Sequence, residues 1–246
     1  MDLENIKVMT YNIHSTIGTD GVANWRRVAD IIQKEKPDIL GLEEIASYHQ
    51  MTPDLDVAAE MSTYLGMNYF FGMTMPINEG KGEYGIAAMT PHKMELIKKL
   101  YLPIPGEYEP RIAIFVKFSS SIPFYFVVTH FPFQGEFDGD EDCRTECAKH
   151  ITDTIIKNNL FPIIWVGDFN TYPSTKTLQY IHKDWDVCND IIPDKPTAKT
   201  SLKGWQQIDF ICCYPKGVFK IKEFNFINDL TASDHKPVTA TLKLET

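Results

Sequence analysis

The feature that most constrains the fold of this 246-residue chain is a set of four short apolar segments, each of which ends abruptly in polar residues. These segments cover residues 8–12, 39–44, 126–130 and 163–170, and two shorter polar clusters follow at residues 208–210 and 233–235. Short apolar runs bounded by polar residues are typical of buried strands. Strands that deliver polar side chains to one rim are a common way to build a rigid site. The pattern therefore predicts a strand-rich fold with its functional residues at strand ends.

Strand-like segments recur along the whole chain, whereas helical segments are fewer. We predict strands at residues 6–11, 39–42, 68–71, 86–89, 94–101, 112–118, 124–129, 163–166, 208–213, 219–226 and 238–244. Helices are predicted between the cap Asn24 and Pro37, from Pro53 and Asp54 to Gly66, and from about residue 143 to 157. This distribution favours a two-sheet sandwich with outer helices over one parallel sheet. With no repeat, low-complexity segment or linker, we expect residues 1–246 to form a single domain.

The composition limits the partners and the compartment. The formal net charge is −9, so a nucleic-acid substrate would have to be attracted by local basic residues. No segment approaches the length of a transmembrane span, and residues 1–4 lack the basic start and apolar core of a signal peptide. The five cysteines show no paired metal-ligand spacing, and adjacent Cys212 and Cys213 suit buried thiols. We expect a cytoplasmic monomer, with secretion as the alternative if a leader is removed from the natural protein.

The polar residues at the segment ends define the chemistry that the chain can support. They comprise carboxylates, amides and two histidines: Asn12, Glu44, His130, Asp168, Asn170, Asp209, Asp234 and His235. Carboxylate and amide oxygens are hard ligands that suit Mg²⁺ or Mn²⁺. Histidines among carboxylates can hydrogen-bond phosphate oxygens or exchange protons. The sequence has no glycine-rich phosphate loop and no Gly-x-Ser-x-Gly motif, so metal-assisted attack of water on phosphorus fits best.

Each of these clusters has an ordinary explanation when it is taken alone. Asp and Asn favour polar turns after strands, an Asp-His pair often caps a surface element, and adjacent glutamates are usually solvated. The ordinary explanation has to be repeated independently at six places, whereas one shared site explains all six. We therefore interpret the clusters as parts of a single functional site.

The order of the motifs resembles that of a known superfamily. The motifs are Thr10-Tyr11-Asn12, Leu42-Glu43-Glu44, Thr129-His130, Gly167-Asp168-Phe169-Asn170, Ile208-Asp209-Phe210 and Ser233-Asp234-His235-Lys236-Pro237-Val238. They are similar to those of the endonuclease/exonuclease/phosphatase superfamily, which includes pancreatic-type deoxyribonucleases, abasic-site endonucleases, neutral sphingomyelinases and inositol polyphosphate 5-phosphatases. The likeness runs from about residue 6 to 244. It implies an α+β fold, a four-layer α/β/β/α sandwich of two mostly antiparallel sheets with outer helices, and a site at one end of the sheets.

The resemblance also implies a metal site. Glu44 is similar to the principal metal ligand of the family, with Asn12 as a metal ligand beside it and Asp234 as a further one. The implied cofactor is Mg²⁺ or Mn²⁺.

The resemblance assigns the remaining motif residues to the reaction. Asp168 would orient or deprotonate the attacking water, and Asn170 would help to place the phosphate or the water. His130 and His235 would hydrogen-bond the phosphoryl oxygens as negative charge accumulates on them in the transition state. Asp209 would accept a hydrogen bond from His235 and fix its tautomer. Whether Asp168 or His235 is the general base stays open.

Other positions carry weaker signals. Glu83 is where the deoxyribonuclease branch has a carboxylate that pairs with the first histidine, and Arg111 is where it has a phosphate-contacting arginine; for both, a surface salt bridge is the alternative. Arg144 matches an arginine whose role could be structural. The chain departs from the family at Glu43, where Gln is usual, and at Ile86, where many relatives have Asn. Because adjacent strand residues point to opposite faces, we expect Glu43 to turn away from the site.

The surroundings of the motifs bear on the substrate. Acidic residues crowd the segment before Arg144 and are interpreted as a solvated loop of the wrong sign for a polyanion: Glu136, Asp138, Asp140, Glu141 and Asp142. Residues 69–71 are aromatic and fit core packing, whereas Phe131 and Phe133 could either pack or line a pocket for an apolar or ring-bearing group. We therefore favour a small or lipid-like phosphodiester or phosphomonoester.

Three hypotheses remain in competition. The leading one is a metal-dependent phosphodiesterase or phosphatase, and the second is a DNA or RNA endo- or exonuclease. The third, from a different class, is a binding module for a phosphate-bearing ligand that has lost catalysis. The presence of Glu44, Asp168 and His235 favours an enzyme.

Overall fold

Two six-stranded β-sheets form the centre of the protein. The computed structural model describes residues 2–133, 135, 139–193, 195–200 and 203–245. Within these residues the strands are β1 (Ile6–Asn12), β2 (Ile39–Ser47), β3 (Asn68–Ile77), β4 (Gly82–Thr90), β5 (Glu95–Tyr101), β6 (Ile112–Phe118), β7 (Phe124–His130), β8 (Ile163–Asp168), β9 (Asp186–Val187), β10 (Ala198–Thr200), β11 (Gly204–Gln206), β12 (Asp209–Tyr214), β13 (Phe219–Phe226) and β14 (Val238–Leu244). The four α-helices are α1 (Trp25–Glu35), α2 (Val57–Leu65), α3 (Asp140–Asn158) and α4 (Lys176–Asp184).

The two sheets share one pattern of strand directions. The first has the order β13-β14-β1-β2-β4-β3, the second has the order β5-β6-β7-β8-β12-β9, and β10 and β11 form a separate hairpin. The central pairs β1–β2 and β7–β8 are parallel, and the other neighbours within each sheet are antiparallel. Parallel neighbours end at the same edge of a sheet. The polar residues that follow β1, β2, β7 and β8 are thereby brought to matching positions.

Four layers follow from where the buried apolar side chains lie. One cluster joins inward-facing residues of both sheets, including Val8 and Ile39 of the first and Val128 and Ile211 of the second. A second cluster joins the outer face of the second sheet to α3 and α4, and a third joins the outer face of the first sheet to α1 and α2. The predicted α/β/β/α sandwich of two mostly antiparallel sheets is confirmed.

Local signals explain where the first two helices begin and end. Asn24 caps α1 as predicted, because its side chain accepts a hydrogen bond from Arg26 N at 3.1 Å. The predicted start of α2 is wrong, since Asp56 is the cap, with its carboxylate accepting from Ala59 N at 3.1 Å. Gly66 ends α2 in the left-handed conformation at φ 64°, as its sequence position indicates.

Helix α3 begins earlier than predicted and corrects the interpretation of the acidic segment. Asp140, Glu141 and Asp142 form its first turn, where negative charge is stabilised by the helix dipole. Glu141 accepts hydrogen bonds from Thr177 at 2.7 Å and from Arg144 at 3.1 Å, so it is a structural residue of the α3–α4 contact. Glu136 and Asp138 lie outside the described residues.

Helix α4 was not predicted, and β2 runs on to Ser47, well past the predicted end at Leu42. Among the described residues, no helix combines the length and apolarity that crossing a membrane requires.

Candidate active site

A pocket of about 400 Å³ lies where the ends of β2, β7 and β8 meet the segment before β14. Of the residues proposed from sequence, seven line it: Glu44, Arg111, His130, Asp168, Asn170, Asp234 and His235. Asn12 and Asp209 are buried directly behind this lining and hydrogen-bond to it. A larger groove of about 960 Å³ runs beside α3 but is lined by none of the motif residues. The pocket at the strand ends is therefore the candidate active site.

A β-bulge in β2 aims both glutamates at the interior. Leu42 pairs with Ala87 and Ile45 with Gly85, so Glu43 and Glu44 together oppose a single residue of β4. Such a bulge re-aims side chains locally, and Glu44 adopts φ 57° to make it. Glu44 consequently reaches the pocket, with its side chain 22% exposed.

Glu43 does not line the pocket. Its side chain is fully buried between the sheets, where Thr10 Oγ1 donates to its Oε1 at 3.0 Å and its Oε2 has no hydrogen-bond partner among the described residues. Burial raises the pKa of Glu43 well above its usual value, and the negative charges of Asp209 and Asp168 raise it further. Glu43 is therefore a buried acid beneath the pocket floor.

Asp168 is the hub of the hydrogen-bond network. Its Oδ1 accepts from the backbone N–H of Asn170 at 2.9 Å, and its Oδ2 accepts from Asn12 Nδ2 at 3.0 Å. The same Oδ2 lies 3.5 Å from His130 Nε2 and 3.7 Å from His235 Nε2. Burial and the charge of Asp209 raise the pKa of Asp168 to about 7, against the opposing effects of His235 and of the hydrogen bonds from Asn170 and Asn12. This carboxyl is held rigidly and titrates close to neutral pH.

The two histidines have opposite electrostatic environments. Asn170 Nδ2 donates to His130 Nε2 at 3.1 Å, so that ring nitrogen is an acceptor. Burial lowers the pKa of His130 well below its usual value, and the charges of Arg111 and His235 lower it further. His130 is consequently a neutral imidazole.

His235 is instead paired with a buried carboxylate. Its Nδ1 donates to both oxygens of Asp209 at 3.0 Å. Burial alone would lower the pKa of His235, but the charge of Asp209, its hydrogen bonds and the charge of Asp168 outweigh burial and raise it well above the usual value. His235 is consequently an imidazolium held in one orientation.

The donor set fits a hard divalent cation. The ligand atoms of Glu44, His130 and Asp168 lie within 4.8 Å of one another, and Asp234 lines the same pocket. Carboxylates gathered this closely leave an excess of negative charge that Mg²⁺ or Mn²⁺ would neutralise. Asn12 differs from its predicted role as a ligand: its Nδ2 donates to Glu44 at 2.8 Å and to Asp168, while its Oδ1 accepts from His14 N at 3.0 Å. This orientation suits Asn12 to positioning the carboxylates.

Of the two residues with weaker sequence signals, Arg111 lines the pocket and Glu83 does not. Arg111 is 3% exposed, lines the pocket, and its guanidinium pairs with Glu109 and with the Tyr84 hydroxyl. Glu83 does not line the pocket, because it is exposed on β4 while the neighbouring Tyr84 faces inward. The predicted pairing of Glu83 with His130 is replaced by the approach of Glu44 Oε1 to His130 Nε2 at 4.0 Å.

The aromatic residues divide between core and pocket. Phe131 is fully buried against Trp165 and Phe169, whereas Phe133 is 43% exposed at the pocket. Residues 69–71 pack against the two clusters that flank the first sheet, as predicted.

Sequence reasoning missed several pocket residues. They are His14, Tyr84, Glu109, Lys199 and Thr200. His14 could have been found from its place two residues after Asn12, at the end of β1. Lys199 and Thr200 lie on the β10–β11 hairpin, which carries no motif that would have indicated it.

The sequence profile of the Endonuclease/Exonuclease/phosphatase family matches residues 9–235. The chain belongs to this family. A search of curated proteins found no match.

Solved structures with the same fold are numerous and distant in sequence. An endonuclease/exonuclease/phosphatase from Beutenbergia cavernae is 20% identical, with a TM-score of 0.79 over 98% of this chain and 72% of the other. A mannosyl-6-phosphatase from Bacteroides thetaiotaomicron is 19% identical, with a TM-score of 0.74 over 96% and 99% of the two chains. The human Nocturnin catalytic domain, which has a bound sulfate anion, is 18% identical, with a TM-score of 0.75 over 100% and 96%. At these identities the likeness establishes the fold.

Proposed function

We propose that the protein is a divalent-metal-dependent hydrolase of a phosphoester bond, acting by attack of water on phosphorus. The observation that carries the proposal is the Asp168 carboxyl, which is fixed by Asn12 and Asn170 and lies within 3.7 Å of one neutral and one cationic imidazole. Family members are phosphoester hydrolases, which agrees with this chemistry.

Asp168 is the group best suited to accept a proton from the attacking water. A general base works best when its pKa lies near the working pH, and the pKa of Asp168 is raised to about 7. His235 is already protonated, because Asp209 raises its pKa well above the usual value, so it cannot accept the proton. We therefore favour Asp168 over His235 as the general base.

Cationic donors would receive the phosphoryl oxygens. His235 and Arg111 carry positive charge at the pocket and would stabilise the negative charge that builds on those oxygens in the transition state. Water oxygen bonds to phosphorus and its proton passes to Asp168. The leaving oxygen takes the electrons of the broken P–O bond as an alkoxide, which is then protonated by solvent water to give the alcohol. Glu44 and Asp234 would hold Mg²⁺ or Mn²⁺, whose charge would neutralise that of the phosphoryl group.

The size of the pocket favours a small or lipid-like substrate. A volume of about 400 Å³ is at the lower end of small-molecule sites. Phe133 gives one wall an exposed apolar surface that a chain or ring can contact.

One observation favours a nuclease as the second candidate. The β10–β11 hairpin beside the pocket carries Lys199 and Trp205, which is 44% exposed, and Lys236 Nζ lies 5.2 Å from the Trp205 ring. Lysines interleaved with an exposed indole suit a phosphate backbone and a stacked base. A binding module without catalysis is the third candidate.

Hydrolysis of bis(4-nitrophenyl) phosphate with Mg²⁺ or Mn²⁺ tests the chemistry. We expect release of 4-nitrophenol that EDTA abolishes and that falls at least about 100-fold in His235→Ala. His150→Ala, an exposed residue on α3, is the matched control and should retain activity. Equal rates in wild type and His235→Ala would contradict the proposal.

A substrate comparison separates the enzyme classes. Faster cleavage of plasmid DNA than of small esters at ordinary salt would replace the small-substrate proposal with the nuclease. Tight phosphate binding without turnover of either substrate would favour the binding module. We also propose that the protein is a cytoplasmic monomer. Its five free cysteines, a pattern common in reducing compartments, support the cytoplasmic location.

A further inference from the structure

A left-handed turn follows directly after β1 at the mouth of the pocket. His14, Ser15 and Thr16 have φ angles of 45°, 53° and 63°, and none of them is glycine. A left-handed backbone is unfavourable for residues other than glycine, so three in succession need compensation from their surroundings. Strain of this kind tends to persist where the resulting placement of a side chain is functional.

Hydrogen bonds hold the turn in this conformation. Thr16 N donates to Ile13 O at 2.7 Å, Ile17 N donates to His14 O at 2.8 Å, and Asn24 N donates to Thr16 O at 2.9 Å. His14 N donates to Asn12 Oδ1, which ties the turn to the residue that positions Glu44 and Asp168. The turn is therefore part of the rigid frame of the site.

The imidazole of His14 is held in one tautomer. Its Nδ1 lies 3.0 Å from Ile17 O and 3.7 Å from Asp234 Oδ1, and both of these oxygens can only accept. Nδ1 therefore carries the proton, and in the neutral ring Nε2 carries the lone pair. His14 lines the pocket with 43% of its side chain exposed.

His14 differs in exposure and in position from the two histidines next to Asp168. His130 and His235 are nearly buried, and both lie within 3.7 Å of Asp168 Oδ2. His14 is 43% exposed and lies beside Asp234, with its Nδ1 3.7 Å from Asp234 Oδ1.

We propose that His14 is a specificity-determining residue whose Nε2 accepts a hydrogen bond from a hydroxyl group of the substrate, close to the phosphoester. The substrate class is then a phosphate ester of a polyol, such as a glycerol- or sugar-type alcohol. An ester of a plain alkyl alcohol has no donor for Nε2. This inference rests on the proposed function, because it places the phosphate at the centre of the same pocket.

Binding of glycerol 1-phosphate and 1-propyl phosphate, two esters that differ only in hydroxyl groups, tests the inference. Calorimetric titration of the Mg²⁺-loaded protein at pH 8 gives both dissociation constants, and phosphate release is assayed in the same samples. Where an ester is turned over, the ratio of kcat/KM values replaces the ratio of dissociation constants. We expect wild type to prefer glycerol 1-phosphate by about three- to tenfold, as one net hydrogen bond provides.

The variant His14→Asn isolates the imidazole. Asn tolerates positive φ, so the turn can be kept while the side chain becomes too short to reach the same hydroxyl. The ratio of the dissociation constants of the two esters should fall to about one in His14→Asn and keep its wild-type value in the control His150→Asn.

The possible results distinguish a failure of this inference from a failure of the proposed function. Equal binding of the two esters by wild type, or an unchanged preference in His14→Asn, would overturn the role of His14 and leave the proposed function standing. Failure to bind either ester in the presence of Mg²⁺ would contradict the proposed function itself. Equal binding of the two esters by wild type overturns the inference even if the variant does not fold.

Discussion

Replacing the buried acid Glu43 by Gln should stabilise the protein at neutral and alkaline pH. The carboxyl has one oxygen that accepts from Thr10 Oγ1 and one that has no hydrogen-bond partner among the described residues. Gln keeps the acceptor and the shape and removes the ionisable group. At pH 8 the folded wild type must either bury a carboxylate or hold a proton that the unfolded chain has lost, and Gln avoids this cost, so we expect a gain of about 1–3 kcal/mol.

The pH dependence has a definite sign. Burial, Asp209 and Asp168 raise the pKa of Glu43 in the folded state above its value in the unfolded chain. Folded protein therefore retains a proton that the unfolded chain has lost, and the free energy of unfolding decreases as the pH rises from the unfolded pKa through the folded pKa. Wild type and Glu43→Gln should be alike at the acidic end of this window, and their difference should grow with pH.

Urea denaturation between pH 5 and pH 8, in EDTA, measures the effect. In thermal denaturation, each kcal/mol of this gain should raise the Tm by about 2–4 °C for a chain of this size. Glu95→Gln, at an exposed position on β5, is the matched control and should show no such trend. If the free energies of unfolding of wild type and Glu43→Gln change with pH in parallel, the reasoning is refuted, because the pKa of Glu43 would then be the same in the folded and unfolded states.

Three further predictions concern the backbone, a helix cap and the metal. In Gly167→Ala, a Cβ would lie 1.9 Å from Thr129 O at φ 151°, so urea denaturation should show a loss of at least about 2 kcal/mol, whereas Gly106→Ala, with open space around its Cβ, should be neutral. Asn24→Ala should lose about 1 kcal/mol in the same assay and Asn24→Asp almost none, because only the Asp side chain can replace the cap. Mg²⁺ should raise the Tm in differential scanning calorimetry, by the equivalent of about 2.7 kcal/mol at 100 times its Kd, and this rise should disappear in Glu44→Gln; a rise that persists would place the ion elsewhere.

The fold could be predicted from the sequence because its signals are local and repeated. Strands β13 and β14 have the predicted bounds, since alternating apolar residues and turn residues mark both of their ends. Helix α4 escaped prediction because it has neither a side-chain cap nor a terminal glycine, the two signals that mark the equally short α2. Its position depends on Glu141 of α3, a partner that is remote in sequence.

The candidate site was predictable in its membership and less so in its orientations. The motif residues Glu44, His130, Asp168, Asn170, Asp234 and His235 all line one pocket. The places of Glu43 and Tyr84 depend on register shifts in β2 and between β3 and β4, and strict alternation does not foresee a bulge. The direction of the Asn12 amide depends on the left-handed turn, whose residues give no glycine signal.

The site spans the seam between the two sheets. Asn12 and Glu44 belong to the first sheet, His130 and Asp168 to the second, and the hydrogen bond from Asn12 to Asp168 crosses between them. Neither sheet alone holds a complete set of reacting groups. A partly folded chain in which only one sheet has formed therefore cannot hydrolyse a phosphoester. During refolding, the time at which activity returns would consequently report when one sheet docks on the other, and not when either sheet forms.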